Sequence, residues 1–97
     1  MQISKVIGTV ISTIKDEKVR GSKILLCNET DETGCKFIGK PYAAVDLVDA
    51  GVHDLVLTGF GSSARQTYKT KDCPVDAVII AVIDHLEVDG KVVFRKT

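Results

Sequence analysis

Gly59-Phe60-Gly61-Ser62-Ser63-Ala64-Arg65-Gln66 is the stretch of this 97-residue chain in which groups able to do chemistry crowd most closely. Two glycines free the backbone, two hydroxyls could serve as nucleophiles or phosphate ligands, and an arginine offers a planar positive fork. Three roles are open to it: a phosphate cradle, a serine site, or a tight corner where subunits meet.

The phosphate reading has a pattern behind it. Gly59, Gly61 and Ala64 match G-x-G-x-x-A after the apolar run Leu55-Val56-Leu57-Thr58, and Asp84 lies 20 residues beyond Ala64. That is the outline of a dinucleotide fingerprint. Its mechanism needs a helix whose N-terminal amides face pyrophosphate and whose apolar side packs on a parallel sheet. Arg65 to Lys71 supplies no apolar side, and Pro74 blocks a longer helix. Serine catalysis fails on different grounds. A nucleophile elbow reads G-x-S-x-G, and Gly61-Ser62-Ser63-Ala64 lacks the closing glycine. His53 and His85 are the only histidines, and nothing in the sequence places either beside a serine. Asp72, Asp76 and Asp84 fit no metal-ligand spacing, so neither a metal nor a cofactor is expected.

The elements that must position this stretch read as all-β. Ile3, Val6, Ile7, Val10, Ile11 and Ile14 fit a helical template, yet β-branched residues dominate and Gly8 interrupts them. A strand with a bulge at Gly8 is expected, its buried parity passing from Ile3 and Lys5 to Val6 and Val10. Lys15 to Ser22 reads as a loop, Lys23 to Asn28 as a strand, and Thr30 to Gly34 as a turn. A half-buried strand starts at Tyr42, a turn follows at Asp49-Ala50-Gly51, and Leu55 to Thr58 is another strand. Pro74 sits where a first helical turn could begin. Val78 to Ile83 is apolar throughout, as for a strand buried on both faces or covered by a neighbouring subunit. Asp89-Gly90 between Leu86/Val88 and Val92/Phe94 signals a two-residue hairpin. About six short antiparallel strands with turns every ten residues or so predict a small OB-like barrel over residues 1–97, with one short helix or helical turn and a C-terminal hairpin.

Composition narrows the function. One domain fits in 97 residues, and 13 basic residues balance 13 acidic ones. A general nucleic-acid binder usually carries a basic excess, and an OB-type binder of single strands wants aromatic platforms on a basic face. Three Phe, two Tyr and no Trp with dispersed charges leave an OB-fold nucleic-acid or small-ligand module as the weaker alternative. A neutral surface suits a protein that associates. Cys27, Cys35 and Cys73 form no C-x-x-C pair, as for reduced cysteines in the cytoplasm. No apolar run approaches the roughly 20 residues of a membrane span.

Several motifs in order resemble the EutN/CcmL family, the pentameric vertex proteins of bacterial microcompartment shells. They are Lys5-Val6-Ile7-Gly8-Thr9-Val10, Lys23-Ile24-Leu25-Leu26, Ala44-Val45-Asp46 with Gly51, and Leu55-Val56-Leu57. Gly61-Ser62-Ser63-Ala64-Arg65 and Pro74-Val75-Asp76 leading into Ile80-Ala81-Val82-Ile83-Asp84 are the most specific. The ending Gly90-Lys91-Val92-Val93-Phe94 resembles the ethanolamine-utilization branch. The loops Lys15 to Gly21 and Asn28 to Lys36, and the three cysteines, depart from the family pattern.

The resemblance implies a non-catalytic homopentamer that caps shell vertices among hexameric shell proteins, with no nucleic-acid or membrane partner. Gly59, Gly61, Ser62, Ser63, Ala64 and Arg65 would then lie at the subunit interface or ring axis. Arg65 would hold an acidic or carbonyl group of the neighbouring subunit by a charge-assisted hydrogen bond.

Overall fold

The computed structural model describes residues 1–11, 23–61 and 76–96. They form seven strands: β1 (Gln2–Thr9), β2 (Ile24–Glu29), β3 (Tyr42–Asp46), β4 (Leu55–Phe60), β5 (Ala77–Val82), β6 (His85–Val88) and β7 (Lys91–Arg95). The first five close into a barrel in the order β1-β2-β3-β5-β4, and β6-β7 is a separate hairpin. This order carries the expected OB-like barrel, with one strand more than the six foreseen. One seam departs from the antiparallel expectation, since β3 and β5 run parallel through Val45↔Val78 and Asp46↔Ile79. Five strands cannot alternate in direction all the way round a closed ring, so one pair must be parallel. The helical turn expected at Pro74 falls outside the described residues.

Two bulges shape the barrel. In β1, Val6 faces Cys27 and Gly8 faces Leu26, leaving Ile7 as the extra residue beside the glycine where a bulge was expected. In β5, Leu57 faces Ala81 and Thr58 faces Ile79, so Ile80 is the extra residue there. The parity expected before the first bulge needs correcting. Ser4 and Val6 point inward and are fully buried, while Ile3 and Lys5 are only partly covered. A serine can take an inner position because its hydroxyl meets Tyr42 Oη inside the barrel. Tyr42 Oη also lies 2.8 Å from Thr58 Oγ1, and Thr58 is fully buried as well. No buried side-chain polar atom among the described residues lacks a partner, which removes the desolvation cost of these hydroxyls.

The interior is filled by Val6, Leu25, Cys27, Ala44, Ala50, Val56, Ala77 and Ile79. A second apolar cluster gathers Val45 and Val78 with Ile24, Leu47 and Ile80. Along β3 and β5 the two clusters take alternate residues, Ala44 against Val45 and Ile79 against Val78, as the two-residue period of a strand requires. Val78 and Ile79 are both fully covered. The continuous apolar run of β5 is therefore a strand apolar on both faces.

The turn after β3 is tied by one carboxylate. Asp46 accepts hydrogen bonds from Val48 N at 3.0 Å and Ala50 N at 2.8 Å. Lys23 Nζ lies 3.4 Å from the same carboxylate, whose side chain is 1% exposed, and donates to Asp49 Oδ1 and the Ala50 carbonyl. The Asp49 hydrogen bond and then Asp46 raise the Lys23 pKa above its ordinary value. Asp46→Ala strands two backbone donors beside the fully buried Ala50, and a loss of about 2–3 kcal/mol is expected. Asp46→Asn keeps one acceptor oxygen and should lose less, and urea unfolding midpoints of the two variants check the order.

Candidate subunit interface

The glycine stretch that drew attention in the sequence begins in regular structure. Gly59 lies inside β4, buried and paired with Val78. Gly61 ends the strand with φ +59°, and its amide donates to the Asp76 carbonyl at 3.1 Å. The tight corner thus starts at Gly61, where a left-handed conformation favours glycine. Ser62, Ser63, Ala64 and Arg65 lie outside the described residues, as do Asp72, Cys73 and Pro74. Phe60, 37% exposed, packs against Tyr42 at the same barrel end, with ring centroids 5.2 Å apart and the rings tilted by 56°.

His53, Asp84 and His85 are exposed on the surface of the fold. His53 has φ +80° in the turn before β4, where its amide donates to the Val6 carbonyl at 2.7 Å. His85 is half exposed on β6, 3.4 Å from Glu87. Asp84 gives its carbonyl to the Lys96 amide. Among the described residues no three His, Cys, Asp or Glu side chains form a metal-binding group. Cys27 is in the core, and burial, with a smaller contribution from the Asp46 charge, pushes its thiol up to about 11. It stays protonated and unreactive near neutral pH. Cys35 is an exposed free thiol.

What the molecule presents instead is uncovered apolar surface. The hairpin β6–β7 is built as its sequence dictates. Asp89 and Gly90 take φ 52° and 78°, the doubly left-handed turn that matches strand twist. Neither strand joins the barrel ladder, and none of its residues is fully buried. Val88 and Val92 are 44% and 42% exposed near its tip. On the barrel wall, Ile3 pairs with Leu57 and Leu57 with Ala81, an outward row that is only half covered. Phe37 and Ile38 are exposed in the loop before β3. The Asp89-Gly90 pair flagged the hairpin, and the continuous apolar run from Val78 to Ile83 flagged β5. The half-covered outer row could not be read in advance, because it depends on which strands become neighbours.

Comparison with known proteins identifies the family. Residues 1–84 match the family described as ethanolamine utilisation protein EutN/carboxysome. The carboxysome shell vertex protein CcmL of Nostoc is 43% identical over 96 residues, covering 99% of this chain and 95% of that protein. Its solved structure superimposes with a TM-score of 0.90, covering 99% of this chain and 100% of that one. The microcompartment shell vertex protein EutN of Salmonella typhimurium is 33% identical over 96 residues, with 99% and 96% covered. The structure of GrpN, a pentameric microcompartment shell protein from Rhodospirillum rubrum, is 36% identical with a TM-score of 0.79, covering 91% of this chain and 99% of that one. With a family match over residues 1–84 and relatives covered nearly end to end in both directions, the chain belongs to the EutN/CcmL family of microcompartment shell vertex proteins.

Proposed function

We propose that this chain is a structural, non-catalytic protein that assembles into a homopentamer and closes the vertices of a polyhedral shell otherwise tiled by hexameric proteins. The observation that supports it most directly is the hairpin β6–β7, a two-stranded unit without a buried residue. A lone hairpin is marginal in water, and apolar residues at its tip are stabilised when another surface covers them. A neighbouring copy in a ring is such a surface, since a closed heterologous interface sets one patch of the chain against a different patch of the next. The half-covered row Ile3–Leu57–Ala81 is a candidate for the complementary patch, and the stretch from Gly61 to Arg65 for contacts at the neighbour or ring axis, while the buried Gly59 serves the barrel wall. GrpN, described as pentameric, supports the ring number. The balanced charge supports self-association over nucleic-acid binding.

The vertex role has a geometric test. Hexagonal tiling alone gives sheets or tubes, and five-fold units are what allow it to close. Co-expression with hexameric shell proteins should yield closed polyhedra by electron microscopy, and omission of this chain should yield open or elongated assemblies. Identical assemblies with and without it would contradict the proposal.

A further inference from the structure

Gly34 is buried in the turn between β2 and β3 with φ +74°. A Cβ added there would come within 3.2 and 3.3 Å of the two Leu55 methyls and 3.3 Å of Phe94 Cδ1. Three parts of the molecule meet at this point: the turn, the first residue of β4, and the strand β7 of the hairpin. Leu55 is 1% exposed and fixed in the barrel. The turn is stiffened from within. Asp31 Oδ1 accepts from the Thr33 amide at 3.1 Å and the Thr33 hydroxyl at 2.6 Å, while the Asp31 carbonyl accepts from Gly34 N at 3.1 Å. The Asp31 amide donates to the Lys36 carbonyl at 3.0 Å. The hairpin has fewer ties. Apart from the chain connection at Ile83 and Asp84, a 3.6 Å ion pair joins Lys96 to Asp54.

We propose that the Asp31–Lys36 turn is a seat for the C-terminal hairpin. Phe94 rests on the bare backbone of Gly34, and this contact sets the direction of the hairpin before a second copy docks against it. The proposal rests on the assembly reading above. An arm already held in its docking direction loses less freedom on association than a swinging one, so seating it strengthens the assembly without adding an intermolecular contact.

A matched pair of variants separates the seat from backbone strain. Gly39 has φ +70°, and a Cβ there would meet nothing within 4 Å. Gly34→Ala and Gly39→Ala therefore impose the same kind of left-handed strain, and only the first intrudes on Leu55, held in the barrel, and on Phe94, the more exposed of the two. Hydrogen exchange of the full chain reads local opening element by element. Gly34→Ala should speed exchange across residues 85–95 while β1–β5 amides stay protected, and should raise the concentration for half-dissociation about tenfold. Gly39→Ala should do neither. Equal hairpin exchange in the two variants would overturn the seat. If Gly34→Ala does not fold, Phe94→Ala removes the contact from the other side, and unchanged hairpin exchange there would overturn it equally. A wild-type chain that stays monomeric would contradict the assembly reading, while the exchange comparison would still decide the seat.

Discussion

Ile79→Ala should lower the free energy of unfolding by about 2–5 kcal/mol. Ile79 is fully buried, among the largest side chains enclosed in the barrel. It also stands at the seam that closes the ring of strands, facing Asp46 across the parallel β3–β5 pair and Thr58 across β4. Its carbonyl accepts from Leu47 N at 3.3 Å. Truncation removes apolar atoms from water-free contact and leaves a cavity between two pairings. The bulge at Ile80 fixes the register next to it, so the walls have little freedom to collapse inward. Stability of a small domain is itself only about 5–15 kcal/mol, so the variant should sit near the threshold of folding. Urea midpoints at a fixed protein concentration check this, because assembly would add a concentration-dependent share. Ile80→Ala is the contrast. Ile80 is the extra residue of the bulge, half covered in the outer cluster, and its truncation should lose less from the isolated chain.

The second large effect is expected at Arg65. Arginine carries a permanent charge and a fork suited to paired hydrogen bonds with a carboxylate or two carbonyls. Gly61, at φ +59°, opens the stretch that leads to Arg65. If Arg65 holds an acidic or carbonyl group of the next subunit away from water, Arg65→Ala should weaken the assembly by about 2–5 kcal/mol, with the barrel itself little affected. Dilution in sedimentation experiments measures the change, and an unaltered dissociation concentration would remove Arg65 from the interface. Arg65→Lys keeps the charge and loses the fork, so it should recover only part of the affinity.

The parts of the fold written in local chemistry were legible in the sequence. Asp89-Gly90 announces its hairpin because few other pairs accept two left-handed residues in succession. Gly8 and the β-branched run around it announce a bulged strand. The apolar run of β5 announces a strand apolar on both faces, buried over Ala77 to Ile79 and half covered from Ile80 to Val82. The inner parity of β1 was not legible, because Ser4 and Val6 win the interior over Ile3 and Lys5 through a hydroxyl contact with Tyr42, a residue 38 positions away in sequence. The parallel β3–β5 seam is likewise a property of ring closure, visible only once the strands are counted and joined. Of the candidate interface, Gly61 stands where a corner was foreseen, while Gly59 is an ordinary strand residue. The seat under the hairpin left a faint sequence signal in Asp31, Thr33 and Gly34, which read as a turn. That the turn meets Phe94 is a tertiary fact, like the half-covered row Ile3–Leu57–Ala81.

On the proposed function, this barrel is one fifth of a ring. Native mass spectrometry of the intact chain at micromolar concentration tests it most directly. A dominant species of about five times the 10.5 kDa chain mass is expected, breaking down on dilution or collisional activation into single chains. A stable monomer under the same conditions would contradict it.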